Sequence, residues 1–130
     1  MSFLLFACQT RAPREDVSAL DPATRLSALS AGLDEALLMW QGAQSAQAQE
    51  ILEQTYTAHF EPVESSLTAQ GIDVLQIEYR FGRLGHRMRR APSSRKSDAE
   101  EVSALLAALT GDIEAAFDAL PATSGAQPPR

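Results

Sequence analysis

Apolar residues recur every three or four positions in four separate stretches of this chain, and this periodicity constrains its fold most strongly. One face of an α-helix repeats with that spacing, whereas a half-buried β-strand alternates every second residue. The clearest stripe consists of Val102, Leu105, Leu106, Leu109, Ile113, Phe117 and Leu120. Short connections between four amphipathic helices predict an all-α protein, an antiparallel up-down-up-down four-helix bundle.

Turn and capping residues divide the chain into these helices. The residues that favour helix starts are Asp21 with Pro22, Ser45, Asp73 and the capping box Ser97–Glu100. The residues that favour helix ends are Gly42, Gly71, Pro92 and Pro121. We therefore assign the bundle to residues 21–121, with a signal-like or tether segment over 1–20 and a disordered tail over 122–130.

The second helical segment, residues 45–70, contains a proline in its interior. Pro62 has no backbone N–H, and its ring clashes with the carbonyl four residues back, so we expect a kink after Phe60. Two shorter helices separated at Glu61-Pro62 are the alternative. In the first helix, Gly32 indicates a close approach by a neighbouring helix.

Charge is segregated along the chain. The net charge of −6 argues against a nucleic-acid-binding protein, yet seven of the 11 basic residues fall within 80–96, which contains no Asp or Glu. Arg80, Arg83, Arg87 and Arg90 follow one another at spacings of three, four and three, so they form a stripe on the third helix.

Two interpretations of this arginine stripe remain open. In the first, the arginines form salt bridges with acids of neighbouring helices such as Glu53, Glu64 or Glu101. In the second, they dock the protein on an acidic partner or on anionic lipid head groups.

The single cysteine, Cys8, excludes an internal disulfide and a multi-cysteine metal site. It ends the sequence Leu5-Phe6-Ala7-Cys8, whose spacing matches a bacterial lipoprotein processing site. That match predicts a lipid anchor at Cys8 and a periplasmic location, and an unprocessed, mildly apolar N-terminus is the other interpretation. No later stretch is long and apolar enough to span a bilayer.

Catalytic motifs are lacking: the sequence contains no HExxH, P-loop or GxSxG pattern, so we do not expect an enzyme. Glu61 and Glu64, three residues apart, lie on neighbouring turns, with His59 close in sequence and Glu78 on the next helix. Carboxylate oxygens and an imidazole suit a hard or borderline metal such as iron. A solvated or salt-bridged acidic face is the alternative.

Two motifs resemble a known family. The sequence Tyr56-x-x-x-Phe60-Glu61-Pro62-x-Glu64, followed by Leu67 and by Ile77-Glu78-x-x-Phe81-x-x-Leu84, resembles the extracytoplasmic helical domain of bacterial high-affinity iron permeases. The resemblance spans about residues 25–120 and implies an extracytoplasmic bundle connected with iron. The chain lacks the permease helices and their intramembrane carboxylate motif, so we expect a freestanding accessory protein and not the transporter.

Together these observations predict a non-enzymatic, extracytoplasmic bundle that binds a metal ion or assists a metal permease. The alternative is a structural subunit that docks on a membrane-associated complex through its arginine-rich helix.

Overall fold

The computed structural model describes residues 21–121, and every regular element within that range is helical. The α-helices are α1 (Pro22–Gln41), α2 (Ser45–Thr55), α3 (Glu64–Ala69), α4 (Val74–Arg87) and α5 (Lys96–Phe117). A π-helical turn (Tyr56–Phe60) and a 3₁₀ turn (Glu61–Val63) connect α2 to α3. The all-α prediction is therefore confirmed for this range, with four helical segments. The expected tether with Cys8 and the tail lie outside the described residues.

Two of the predicted helix starts are capped as expected. The Asp21 carboxylate accepts a hydrogen bond from the backbone N–H of Thr24 at 3.0 Å, with Pro22 in the first turn. The Asp73 carboxylate accepts one from the backbone N–H of Gln76 at 3.3 Å. Each bond satisfies a donor that has no partner inside its helix, which is why these residues specify a start.

The predicted capping box at Ser97–Glu100 is wrong. The helix begins at Lys96 with Arg95 as its N-cap, two residues before the predicted cap Ser97, and no side chain caps it. Instead, the carboxylate of Asp98 accepts hydrogen bonds from the backbone N–H and the hydroxyl of Ser93, at 3.0 and 2.5 Å. Asp98 thus binds the preceding loop to the first turn of the helix, and Ser97 lies inside the helix.

All four helical segments contribute to one apolar core. Its largest fully buried side chain is Trp40, whose indole N–H donates to the carbonyl of Arg90 at 2.7 Å and links the end of α1 to the loop before α5. Gly32 lies against Thr55: a Cβ atom at Gly32 would approach the Thr55 hydroxyl oxygen to 2.1 Å. The predicted close helix approach at Gly32 is thus confirmed. Among residues 21–121, no helix has the length and hydropathy required to cross a bilayer.

Candidate functional site

The second helical segment departs from α-helical hydrogen bonding over Tyr56–Val63. The backbone N–H of Glu61 bonds to the carbonyl of Tyr56, five residues back instead of four. Pro62 provides the reason, because it offers no N–H to the carbonyl of Ala58 and its ring needs room there. The predicted disturbance at Pro62 thus begins one turn earlier in the chain.

Arg25 compensates for the backbone hydrogen bond that Pro62 cannot donate. Its side chain on α1 is 1% exposed, and its guanidinium donates to the carbonyl oxygens of Ala58 and His59 at 3.2 and 3.4 Å. Burial lowers the pKa of Arg25 from its ordinary value. The contact with Ala58 supplies a donor to a carbonyl whose usual partner, the N–H of residue 62, is absent in proline.

The helical pattern alone does not predict this role of Arg25, although the sequence contains two signals for it. Arg25 precedes Leu29 by four residues and therefore lies on the buried stripe of α1, where a charged side chain needs a partner. Pro62 follows Ala58 by four residues and so leaves a carbonyl without its usual donor. Only the packing of α1 against the π-helical turn brings the two together.

The same turn positions Tyr56 between two carboxylates. Its hydroxyl donates a short hydrogen bond to Glu64 at the start of α3, and lies 3.2 Å from an Oε atom of Glu78 on α4. The ring packs against Phe60 and Phe81, with centroid separations of 5.7 and 5.1 Å. We call these three polar residues the Tyr56–Glu64–Glu78 cluster.

The cluster brings two carboxyl groups together with a single hydroxyl proton between them. The pKa of Glu78 is raised, first by its interaction with the Glu64 carboxyl and then by burial. Burial, followed by the hydrogen bond to Glu64, raises the pKa of Tyr56 well above its ordinary value. A phenol carries one proton, so two carboxylates around it are satisfied best when a second proton is shared or a cation is present.

The other two predicted metal ligands lie beside this cluster. The side chain of Glu61 is exposed, and its charge contributes to the raised pKa of Glu78. His59 is half-buried, its Nδ1 atom has no hydrogen-bond partner, and burial and the Arg25 charge lower its pKa. Across residues 21–121, no group of three or more His, Cys, Asp and Glu side chains is arranged to hold a metal ion. The ligand roles of Glu61 and His59 therefore stay predictions.

Two of the four stripe arginines form ion pairs with α5. Arg87 donates to Asp98 at 2.7 Å and to Glu101 at 2.8 Å. Arg80 donates to Asp112 at 2.5 Å. Glu101 is one of the partners that the sequence suggested, whereas Glu64 faces Tyr56 instead of an arginine.

The other two arginines of the stripe are exposed. The guanidinium of Arg83 lies over the ring of Tyr79, 5.9 Å from its centroid, and Arg90 is in the loop after α4. The stripe therefore divides into an inner pair that holds α4 to α5 and an outer pair that faces solvent.

Comparisons of the chain with protein-family models, with curated proteins and with solved structures find no match.

Proposed function

We propose that this protein is a non-enzymatic, extracytoplasmic helical bundle that binds a hard metal ion, iron in the first place, and assists a metal-uptake system. The observation that carries the proposal is the convergence of Glu64 and Glu78 on the Tyr56 hydroxyl. Two facing carboxylates repel each other unless a proton or a cation lies between them. The raised pKa of Glu78 means that, without a metal, a proton is held more readily at this pair of carboxyl groups.

A metal ion would take the place of that proton. Glu64, Glu78 and the deprotonated Tyr56 would supply three oxygen ligands, a donor set that suits iron(III) better than a soft metal. Glu61 would complete the site after a rotation of its exposed side chain, since its charge already acts on Glu78. Binding would release protons, so the affinity should fall as the pH falls.

The wider architecture in this proposal is an antiparallel up-down-up-down bundle with a kink in its second segment near Pro62. A lipid at Cys8 would hold the bundle at the periplasmic side of a membrane, next to a metal permease. Both statements rest on the sequence: helix order with short connections supports the first, and the Leu5-Phe6-Ala7-Cys8 spacing supports the second.

The test compares metal binding by the wild type, by Glu64→Gln/Glu78→Gln and by the matched control Glu50→Gln/Glu53→Gln. The control removes two acids with a spacing of three from the exposed face of α2. Iron(III), iron(II), manganese(II) and copper(II) are titrated while the melting temperature is recorded. We expect the metal to raise the melting temperature of the wild type and of the control, because it binds only the folded state, but not that of Glu64→Gln/Glu78→Gln.

A second readout tests the phenolate. Iron(III) bound by Tyr56 should give a visible charge-transfer band that Tyr56→Phe abolishes. Equal responses from the three proteins in the titration would contradict the metal proposal and leave the cluster as a protonated acid pair.

A second candidate function is docking on a membrane-associated protein complex. The observation that favours it is the exposure of Arg83 and Arg90, together with His86, Arg89 and Arg95, in the second half of α4 and the loop that follows it. In the described part of the chain, the carboxylates paired with stripe arginines belong to Asp98, Glu101 and Asp112, which serve Arg80 and Arg87. The exposed group makes no direct ion pair among the described residues, although Arg90 and Arg83 lie close enough to Asp98 and Glu101 to interact with their charges, and an acidic partner would compete for these arginines.

A further inference from the structure

The loop between α4 and α5 borders an open cavity of about 370 Å³. The residues that line it are Arg87, Arg90, Ala91, Ser93, Arg95 and Asp98, and we call it the arginine cavity. We propose that this cavity binds a phosphate group, either as inorganic phosphate or as the phosphomonoester of a larger molecule. Arginine suits that ligand, because a guanidinium donates two parallel hydrogen bonds to phosphate oxygens.

The charges of the lining favour an anion, since three arginines accompany a single acid. Arg87 is occupied by Asp98 at 2.7 Å and by Glu101, which lies outside the lining, at 2.8 Å. Arg90 and Arg95 are exposed, and neither forms an ion pair within residues 21–121. These two guanidinium groups therefore have donors to offer to a ligand in the cavity.

Asp98, the acid of the lining, is already engaged in hydrogen bonds. One of its oxygens accepts from Arg87, and the other accepts from the backbone N–H and the hydroxyl of Ser93, at 3.0 and 2.5 Å. The bonds from Ser93, together with the charges of Arg87 and Arg90, lower the pKa of Asp98. The carboxylate thus holds the loop together, and the charge that it adds to the cavity is offset by these donors.

The two exposed arginines extend from backbone positions that other residues fix. The carbonyl of Arg90 accepts the indole N–H of the buried Trp40 at 2.7 Å, and the hydroxyl of Ser93 accepts the backbone N–H of Arg95 at 3.0 Å. A site whose backbone is already ordered loses less entropy when it binds a ligand. Helix α5 also begins here, with Arg95 as its N-cap and no side-chain cap, and the positive end of its dipole adds to the attraction.

A phosphate group fits this region better than an extended acidic protein surface does. Such a surface would also meet the exposed Glu100 and Glu101 in the first turns of α5, whereas a ligand inside the cavity meets only its lining. The inference uses Arg90 and Arg95 of the second candidate function but none of the proposed metal ligands. Its failure would therefore leave the metal proposal unaffected.

The experiment is isothermal titration calorimetry of the full chain with sodium phosphate, at constant ionic strength and after metal has been removed on a chelating resin. The site variant is Arg90→Gln/Arg95→Gln. The matched control, Arg83→Gln/Arg89→Gln, removes the same charge from two exposed positions outside the lining. All four side chains are exposed, so both variants should fold.

We expect saturable binding of phosphate by the wild type. The site variant should raise the dissociation constant at least about tenfold, because hydrogen bonds between charged groups contribute more than neutral ones. The control should change it far less, since a charge outside the cavity acts only through screened solvent.

A second measurement identifies the carrier of the phosphate group. The protein is floated with phosphatidylcholine vesicles that contain or lack phosphatidic acid, whose head group is a phosphomonoester. Flotation that requires phosphatidic acid and is reversed by inorganic phosphate would assign the site to a lipid head group. Binding of inorganic phosphate without flotation would assign it to a soluble phosphate compound.

Three results would overturn the proposal. The first is the absence of both saturable phosphate binding and flotation with phosphatidic acid. The second is an equal loss of binding in the site variant and the control, which would show that positive charge acts without the cavity. The third is a hexaglutamate peptide that binds as tightly as phosphate, which would favour docking on an acidic protein instead.

Discussion

Helix α5 and the segment from Ser45 to Ala69 both supply buried side chains to the core, but they do so in different ways. Helix α5 is one α-helix over Lys96–Phe117, and its buried positions are all apolar. The earlier segment changes from α to π to 3₁₀ and back to α, and a charged side chain from α1 supports it. Apolar packing accounts for the buried side chains of α5, with its ion pairs to α4 at the edge of the core, whereas the irregular segment contains polar groups that packing alone leaves unexplained.

This difference indicates that a functional site is to be expected in the irregular segment. A π-helical turn is rare and often marks a functional position, because it costs stability without adding apolar contacts. Here the turn brings Tyr56 between Glu64 and Glu78, while Arg25 donates to the carbonyl of Ala58, which Pro62 leaves without its usual donor.

Truncation in the regular helix should have the largest effect. Leu109 is 0% exposed, so Leu109→Ala should lower the free energy of unfolding by about 2–5 kcal/mol through lost burial and a new cavity. Urea denaturation measures it, with the exposed Ser103→Ala on the same helix as the control, expected within about 0.5 kcal/mol of wild type. A loss near zero at Leu109 would show that α5 buries a different face.

Removal of the buried guanidinium should have an intermediate effect. Arg25→Met leaves the carbonyls of Ala58 and His59 without their donor and should cost about 1–3 kcal/mol. Pro62→Ala restores a backbone N–H near Ala58, so the loss caused by Arg25→Met should be smaller in the Pro62→Ala background. The double-mutant cycle in urea measures this coupling. Strictly additive losses would mean that Arg25 stabilises the fold by other contacts.

The smallest expected effect is a change in pH dependence. The native pKa of Glu78 is raised above its value in the unfolded chain, so between the two values the folded state binds more protons. Stability contributed by protonated Glu78 is therefore complete at low pH and is lost as the pH rises through this window. Glu78→Gln stays neutral and should remove that loss, which makes the variant relatively more stable at neutral pH.

Melting temperatures across the acidic range, measured without metal, test this prediction. The exposed Glu114→Gln on α5 serves as the control and should follow the wild-type profile. A parallel profile for Glu78→Gln would show that Glu64 and Glu78 do not share a proton.

The helices and several of their ends could be predicted from the sequence, because local interactions specify them. Asp21 and Asp73 cap donors three residues ahead, and Gly71 adopts a left-handed φ of +85° that suits glycine at a helix end. The end of α1 at Gly42 is also as predicted, and the next residue, Ala43, takes a positive φ of 64°. Such details depend on only a few neighbouring residues.

Which polar residues contact one another depends on the tertiary structure. Glu78, on the next helix, contacts Tyr56 of the second segment. The sequence did not indicate that the other carboxylate at the Tyr56 hydroxyl belongs to Glu64 and not to Glu61. Arg25 reaches carbonyls more than thirty residues away, and Asp98 binds Arg87 and Ser93 instead of closing a capping box. Helical periodicity assigns a residue to a face, but hydrogen bonds between distant residues depend on how helices are rotated and spaced, which the whole core determines.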